Sequence, residues 1–468
     1  MILRYDQGMN TPNEPPAHVL NADCLTALRD MPDASVDAIV TDPPYGLSNT
    51  TPAQVAETIT RWVTGDREYL PSARGFMGHE WDGFVPPVAV WDECLRVLKP
   101  GGHLLAFAGS RTHDLMTLGI RLAGFDIRDS VAWLYGSGFP KSMDVSKAID
   151  KAAGAERTEV VGRYQPPNGQ AWNLSNDKAV TEIGAVGLSN RAASLDITAP
   201  ATDAARQWEG WGTALKPAFE PVTLARKPLT GTVAANVLEH GTGALNIDAC
   251  RIGTEGGGTH CANRDGSGKC LGHGNAGRST SGETFHGPNT SSGRWPANVV
   301  LDESQAGVLD EQSGNVGAHG SDRGEPSANG VTGWYSNTRH TEHNESGGAS
   351  RFFHVIEQDA PFIYCAKAPK KERPQVEGVA HSTVKPLKLM RWLVRMVTPP
   401  GGTVLDPFAG SGTTLEAAML EGFNVTGIER EADYLPLIRA RIERATTALA
   451  AQAEADADAL FPIDGAAS

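Results

Sequence analysis

Ala38-Ile39-Val40-Thr41-Asp42-Pro43-Pro44-Tyr45 runs four apolar or β-branched residues straight into a pair of prolines. The first four read as a short buried strand, and Pro43-Pro44 cannot continue it, because proline has no N–H for a sheet ladder. Asp42 to Tyr45 is therefore expected on the turn beyond the strand's carboxyl end. Around this segment, residues 18–145 alternate β-type and helical patterns, as α/β units with parallel strands do. Helical spacing over 90–98 stops at the breaker cluster Lys99-Pro100-Gly101-Gly102, which is expected to deliver a strand over 103–107. A helix over 115–123 and a strand over 130–135 follow.

Downstream of residue 374 the same character returns: a helix over 387–397, a strand over 403–405, a helix over 413–421, a strand over 424–428, and a last helix from about 433. Between these pieces the pattern loosens, and from about 253 to 348 it is rich in Gly, Ser, Asn and His. Two islands interrupt this polar middle. One spans 211–228 and holds the strand-like Val222-Thr223-Leu224-Ala225, and the other is Arg294-Trp295-Pro296-Ala297-Asn298-Val299-Val300-Leu301.

The chain has 468 residues, 40% of them hydrophobic and 21% charged, which excludes disorder throughout and allows one large domain with an insertion or two to three domains. A net charge of −14 runs against a simple nucleic-acid binder, although Glu454, Asp456, Asp458 and Asp464 place part of the excess in the tail. Six scattered cysteines are too few for a disulfide framework. The opening residues turn polar at once and no apolar run has the length of a membrane span, so a cytoplasmic location and no membrane partner are expected. No metal is expected, because the spacing of His260, Cys261, Cys270 and His273 matches no structural zinc pattern.

The chemistry suggested by Asp42 and Pro43 is the handling of an aromatic amine. An exocyclic NH2 on adenine or cytosine is a poor nucleophile, since its lone pair is delocalised into the ring. The Asp42 carboxylate and the Pro43 carbonyl can each accept one of its hydrogens, which localises the lone pair. Tyr45 offers a flat face for a base taken out of the duplex.

The second motif is Asp406-Pro407-Phe408-Ala409-Gly410-Ser411-Gly412-Thr413-Thr414, after a buried strand and at the start of a helix. Leu415 stands where a dinucleotide fingerprint has its third glycine, which disfavours a pyrophosphate. Glu429 ends the next strand, a place from which an acid can hold ribose hydroxyls.

Asn21-Ala22-Asp23-Cys24, a helix, Ser35-Val36-Asp37, a strand and Asp-Pro-Pro-Tyr together resemble the amino-group DNA methyltransferases, as do the Asp406 loop and His381-Ser382-Thr383-Val384-Lys385-Pro386. Ser382 departs from the proline usual in that family. The order of the two motifs is similar to the β class. The segments Tyr135-Gly136-Ser137-Gly138-Phe139-Pro140-Lys141-Ser142 and Gly212-Thr213-Ala214-Leu215-Lys216-Pro217 resemble a branch common in phages and mobile elements.

The resemblance implies a Rossmann-like, circularly permuted, S-adenosylmethionine-dependent methyltransferase sheet with a large polar insertion. It implies a catalytic half over 18–150 and an insertion over 151–374 that contains the target-recognition region and a core-like island at about 208–228. A cofactor half over 375–445 and an acidic, Ala-rich tail over 446–468 complete the division. Asp42, Pro43, Pro44 and Tyr45 are then catalytic. S-adenosyl-L-methionine is expected on Asp23, Cys24, Thr383, Lys385, Asp406, Phe408, Ala409, Gly410, Ser411, Gly412, Thr413 and Glu429, with Thr383 and Lys385 at its carboxylate. Arg251, Arg294, Trp295, Asn298 and Arg351 are candidates for DNA contact, and Lys367, Lys370, Lys371 and Arg373 form a basic run.

The expected activity is site-specific methylation of adenine N6 in double-stranded DNA, with cytosine N4 as the alternative. A homodimer and a cognate restriction enzyme are partners that the resemblance leaves open. A nicotinamide-dependent oxidoreductase using the Gly410 loop, a non-catalytic DNA-binding protein, and the same chemistry on RNA or a protein amide are the competing classes.

Overall fold

The computed structural model of the chain describes residues 2–4, 17–48, 50–72, 82–136, 142–164, 195–252, 295–313, 353–356, 375–376, 379–381 and 383–460. Their strands, in chain order, are β1 (Ile2–Arg4), β2 (Ala17–Asn21), β3 (Val36–Thr41), β4 (Leu98–Phe107), β5 (Asp126–Leu134), β6 (Val160–Tyr164), β7 (Leu195–Thr198), β8 (Phe219–Arg226), β9 (Val299–Asp302), β10 (His354–Ile356), β11 (Gln375–Val376), β12 (Val379–Ala380), β13 (Thr403–Asp406) and β14 (Asn424–Glu429).

Ten of these strands form one sheet in the order β1-β2-β14-β13-β3-β4-β8-β5-β9-β10. The run β2-β14-β13-β3-β4 is parallel throughout, and β5-β9-β10 is parallel as well. Only β1 and β8 are antiparallel to their neighbours. The α/β class expected from the sequence is the class found.

The central strands are buried on both faces, which is why they read as continuous apolar runs rather than alternating ones. On β3, Ala38 and Val40 join one core cluster with the helix Leu387–Val397 and the helix Thr413–Leu420. Ile39 points the other way, into a second cluster with Trp91, Cys94 and Val97 of the helix Val88–Val97. Ile39 is fully buried, and a side chain of that size contributes about 2–3 kcal/mol on leaving water. Leu415, the residue in place of a third glycine, is also fully buried. It packs so closely on β14 that a methyl group added at Gly427 would meet Leu415 Cδ1 at 2.7 Å.

The breaker cluster behaves differently from expectation. Leu98–Phe107 is one strand, but its pairing with β3 jumps from Val36↔Leu98 to Ala38↔His103. Lys99 to Gly102 therefore bulge within the strand instead of preceding it, because Pro100 offers no N–H to the ladder. Carbonyls in and beside the bulge find partners in the expected insertion. Asn236 Nδ2 donates to Pro100 O at 2.9 Å, Thr242 Oγ1 to the same oxygen at 2.5 Å, and Lys227 Nζ to Leu98 O at 2.7 Å.

Two segments of the expected insertion are thus sheet. Val222 to Ala225 lie in β8, inserted between β4 and β5, and Val299 to Leu301 lie in β9, beside β5. The chain divides into two compact units, one of residues 1–137 and 219–468, the other Gly138–Ala218. The boundary expected at residue 150 falls inside a helix of the second unit, Val145–Ala152. That unit also holds the β6–β7 hairpin and a short helix, Asp203–Gln207. Buried Asp150 organises it by accepting from Arg157, the Ala201 and Thr202 amides and the Thr202 hydroxyl. Among the described residues no helix is long and apolar enough to cross a membrane.

Asn236 has no exposed surface. Besides Pro100 O it donates to Thr242 O at 2.8 Å and accepts from Thr230 N at 2.8 Å. Asn236→Ala strands these groups and is expected to lower stability by about 2–3 kcal/mol, read as a lower denaturation midpoint in urea.

Candidate active site

Adjacent parallel strands end at one edge of the sheet, and their following loops are neighbours there. Leu405 pairs with Ile39, Asp406 with Gly427, and Glu429 with Asn21. The turn after β3, the loop after β13, the end of β14 and the residues after β2 therefore share an edge. A direct bond joins the two sequence motifs, since Thr41 Oγ1 donates to Asp406 Oδ1 at 2.7 Å across 365 positions of chain.

The Asp42-Pro43-Pro44-Tyr45 turn is anchored at several points. Tyr45 N and Gly46 N donate to Asp82 Oδ1 at 2.9 and 3.0 Å. Tyr45 O accepts from Thr112 Oγ1 at 2.6 Å, and Tyr45 OH donates to Glu220 Oε2 at 2.8 Å. Burial, with Asp42 and Glu220 close by, raises the Tyr45 phenol well above its ordinary value, so it stays a neutral donor.

Lys385, expected at a cofactor carboxylate, has its ammonium between two carboxylates of the chain itself. Its Nζ lies 2.6 Å from Asp42 Oδ2 and 3.3 Å from Glu220 Oε2, with the rings of Tyr45 and Phe107 at 5.2 and 4.9 Å. Burial pulls the ammonium down, yet the two carboxylates hold it above its ordinary value. Asp42 Oδ1, by contrast, is buried and has no hydrogen-bond partner among the described residues. The Asp42 carboxylate thus has one oxygen bonded to a cation and one open acceptor.

The second motif forms a tight turn. Gly412 caps the helix Thr413–Leu420 in the left-handed region, at φ 82°, where a side chain would also meet Ile438 Cα at 3.1 Å. Phe408 N donates to Asp406 Oδ1 at 3.1 Å. Gly410 N donates to Glu429 Oε2 at 2.7 Å, and Glu431 N to Glu429 Oε1 at 2.8 Å. Each carboxylate oxygen keeps a further lone pair for a hydroxyl. Ala409, Ser411 and Thr413 are buried and Phe408 is half-buried.

Burial raises the Asp406 carboxyl to about 6 and the Glu429 carboxyl to about 7. Asp23 is exposed and caps the helix Cys24–Asp30, accepting from Leu25 N and Thr26 N. Cys24 beside it is pushed up to about 12 by burial and by Asp23, so it is a thiol and no nucleophile at neutral pH. Thr383 is half-buried, just before Lys385.

Sequence reasoning missed Glu220, Asp82 and Thr112. Glu220 stood two residues before a recognised strand, but its role depends on strand direction. β8 runs antiparallel, with Phe107 opposite Val222 and Trp133 opposite Glu220, so its beginning meets the edge where the parallel strands end. Of the DNA-contact candidates, Asn298 Nδ2 donates to Asp129 Oδ1 at 3.0 Å, and the Arg251 guanidinium lies 5.4 Å from the Trp295 ring. Arg294, Arg351, Ser382, the basic run from Lys367 to Arg373 and the His/Cys group at 260–273 lie outside the described residues.

A family model described as DNA methylase matches residues 36–180 and 317–440. Curated relatives share short segments. The chain is 44% identical over 63 residues to the type II methyltransferase M.BglI of Bacillus subtilis, covering 14% of this chain and 18% of that protein. It is 43% identical over 63 residues to M.HinfI of Haemophilus influenzae, with the same two shares, 14% and 18%. The chain thus spans less than a fifth of the length of these relatives. Among solved structures, TTHA0409 from Thermus thermophilus in complex with S-adenosyl-L-methionine is similar at 16% identity and a TM-score of 0.34, over 91% of this chain and 95% of that one. The PvuII cytosine-N4-specific DNA methyltransferase is similar at 13% identity and a TM-score of 0.37, over 94% of each chain. Both family blocks fall on the elements that carry the edge, one reaching from β3 through the Asp42 turn and the other through Lys385, the Asp406 loop and Glu429, and by that match across more than half of its length the chain belongs to the N6/N4 DNA methylase family.

Proposed function

We propose that this protein methylates a specific site in double-stranded DNA, transferring the methyl group of S-adenosyl-L-methionine to adenine N6, in the cytoplasm. The observation that carries this is the open acceptor: Asp42 Oδ1 is buried without a partner among the described residues, on a turn bonded through Thr41 to the Gly410 loop. A buried acceptor of this kind costs free energy unless a ligand donates to it. The exocyclic N–H of a base taken out of the duplex is such a donor.

The residues at the edge suit the cofactor. The turn from Asp406 to Gly412 brings backbone to the surface at two glycines, and Glu429 faces it with lone pairs to spare. When bound, S-adenosylmethionine supplies a methyl group on a sulfonium sulfur, which keeps the bonding pair as the methyl leaves. The work of the chain is then positioning and electrostatics. Asp42 Oδ1 accepts one amine hydrogen and the Pro43 carbonyl the other, turning the nitrogen lone pair toward the methyl donor. Tyr45, fixed at its amide, carbonyl and hydroxyl, gives the base a surface to stack on. Asp23 and Cys24 border the adenosine side, while the region between the two motifs, residues 151–374, contains the target recognition.

Incubation with labelled S-adenosylmethionine and unmethylated DNA, then nucleoside analysis, is expected to put the label in N6-methyladenine. Label in N4-methylcytosine would move the assignment to the other base, and label on RNA or protein alone would overturn it. Asp42→Ala is expected to cut transfer at least about 100-fold, with cofactor affinity by calorimetry within about twofold of the parent.

A pH dependence follows from Glu429, whose carboxyl is raised to about 7 from its ordinary 4.5. Below pH 7 the folded protein holds this proton and above it the carboxylate forms, so ribose binding strengthens as pH rises from 6 to 8. Stability runs the other way. A raised carboxyl makes the native state bind more protons than the unfolded chain between pH 4.5 and 7, so this contribution is lost as pH rises through that window. Glu429→Gln is expected to flatten both profiles, measured by calorimetry with S-adenosylmethionine and by denaturation at each pH.

A further inference from the structure

Asp42 presents a difficulty that its own motif does not resolve. The carboxylate meant to attract an amine already carries Lys385 at 2.6 Å, and a close ammonium cancels most of its field at the nitrogen. Glu220 changes the balance. It reaches the same ammonium at 3.3 Å from β8, and two carboxylates around one ammonium leave one net negative charge. Glu220 also accepts the Tyr45 hydroxyl at 2.8 Å, so a single side chain touches both the cation on Asp42 and the ring beside it. Tyr135, whose phenol is raised above its ordinary value by burial and by Glu220, adds no charge near neutral pH, and Asp406 faces Asp42 from β13.

We propose that Glu220 is a positioning residue for methyl transfer, drawing the Lys385 charge away from Asp42 and locking Tyr45, so that the pocket keeps a net negative charge facing the amine. This rests on the base-methylation reading above. As the amine lone pair bonds the methyl carbon, and the pair of the broken C–S bond stays on sulfur, positive charge passes to the nitrogen, which then releases one proton to water. A pocket of net negative charge stabilises that developing cation, and a neutral pocket does so less. A residue needed only to fill space at this position would carry no charge and donate or accept nothing.

The test uses the full chain with Glu220→Gln, Glu220→Asp and the double change Glu220→Gln with Lys385→Met. Glu220→Gln is expected to lower kcat roughly 10- to 100-fold, with KM for DNA and calorimetric affinity for S-adenosylmethionine within about twofold of the parent. Its rate should climb with pH, because Lys385 with one counter-charge fewer sheds its proton earlier. Glu220→Asp should regain most of the rate. The double variant should outrun Glu220→Gln, since removing the ammonium restores the negative charge. In the free protein, NMR titration of the Lys385 Cε signal should show a lower pKa in Glu220→Gln. A double variant no faster than the single, or an unmoved Lys385 titration, overturns the proposal. If the parent methylates no DNA, the proposed function falls while the Lys385 titration still decides the charge role of Glu220.

Discussion

A buried ammonium demands counter-charge, and the Lys385 cluster meets that demand from three distant parts of the chain. Lys385 is 7% exposed, and an unpaired cation so placed would cost several kcal/mol. Asp42 comes from the turn after β3, Glu220 from the start of β8, and Lys385 from the segment leading into the helix Leu387–Val397. Satisfying the cation therefore requires the inserted strand to be in place. The same requirement leaves Asp42 with one oxygen paired and the other open among the described residues.

Below this cluster the sheet is held together by other polar ties. Asp37, at the opposite end of β3, accepts from Lys99 Nζ at 2.6 Å and from Thr403 N at 2.8 Å, which ties β4 and β13 to β3. At the carboxyl end of β3 Thr41 and Asp406 repeat the link between β3 and β13. Two halves of a sheet built from distant sequence are thereby in register at both ends, and the apolar clusters on the two faces supply the bulk of the burial. The polar ties select the pairing; the apolar burial stabilises whatever is paired.

From residue 387 onward the helices and strands were legible in the sequence to within a residue or two, because each has a strong period or a sharp stop, whereas upstream β4 and β5 begin five and four residues before their expected starts and the helix Pro52–Thr64 was not read. The helix Leu387–Val397 and the strands β13 and β14 lie where their apolar patterns place them. The bulge at Lys99 to Gly102 was not legible, since Pro and Gly signal a break equally well before a strand or within one. Nor was the place of β8 in the sheet. Its residues read as a strand, but a pattern of alternation carries no direction and names no neighbour.

Sequence alone determined which side chains are chemically capable: a carboxylate followed by two prolines and a tyrosine, a glycine turn opening a helix, and an acid closing the next strand. These follow from local rules of backbone and residue type. Tertiary structure alone decided what each carboxylate faces. Lys385 is the partner of Asp42, a pairing its motif did not announce, and Glu220 joins the cluster because an antiparallel strand presents its first residues at the edge where parallel strands present their last. Distance between charges is set by the sheet, and no spacing along the chain encodes it.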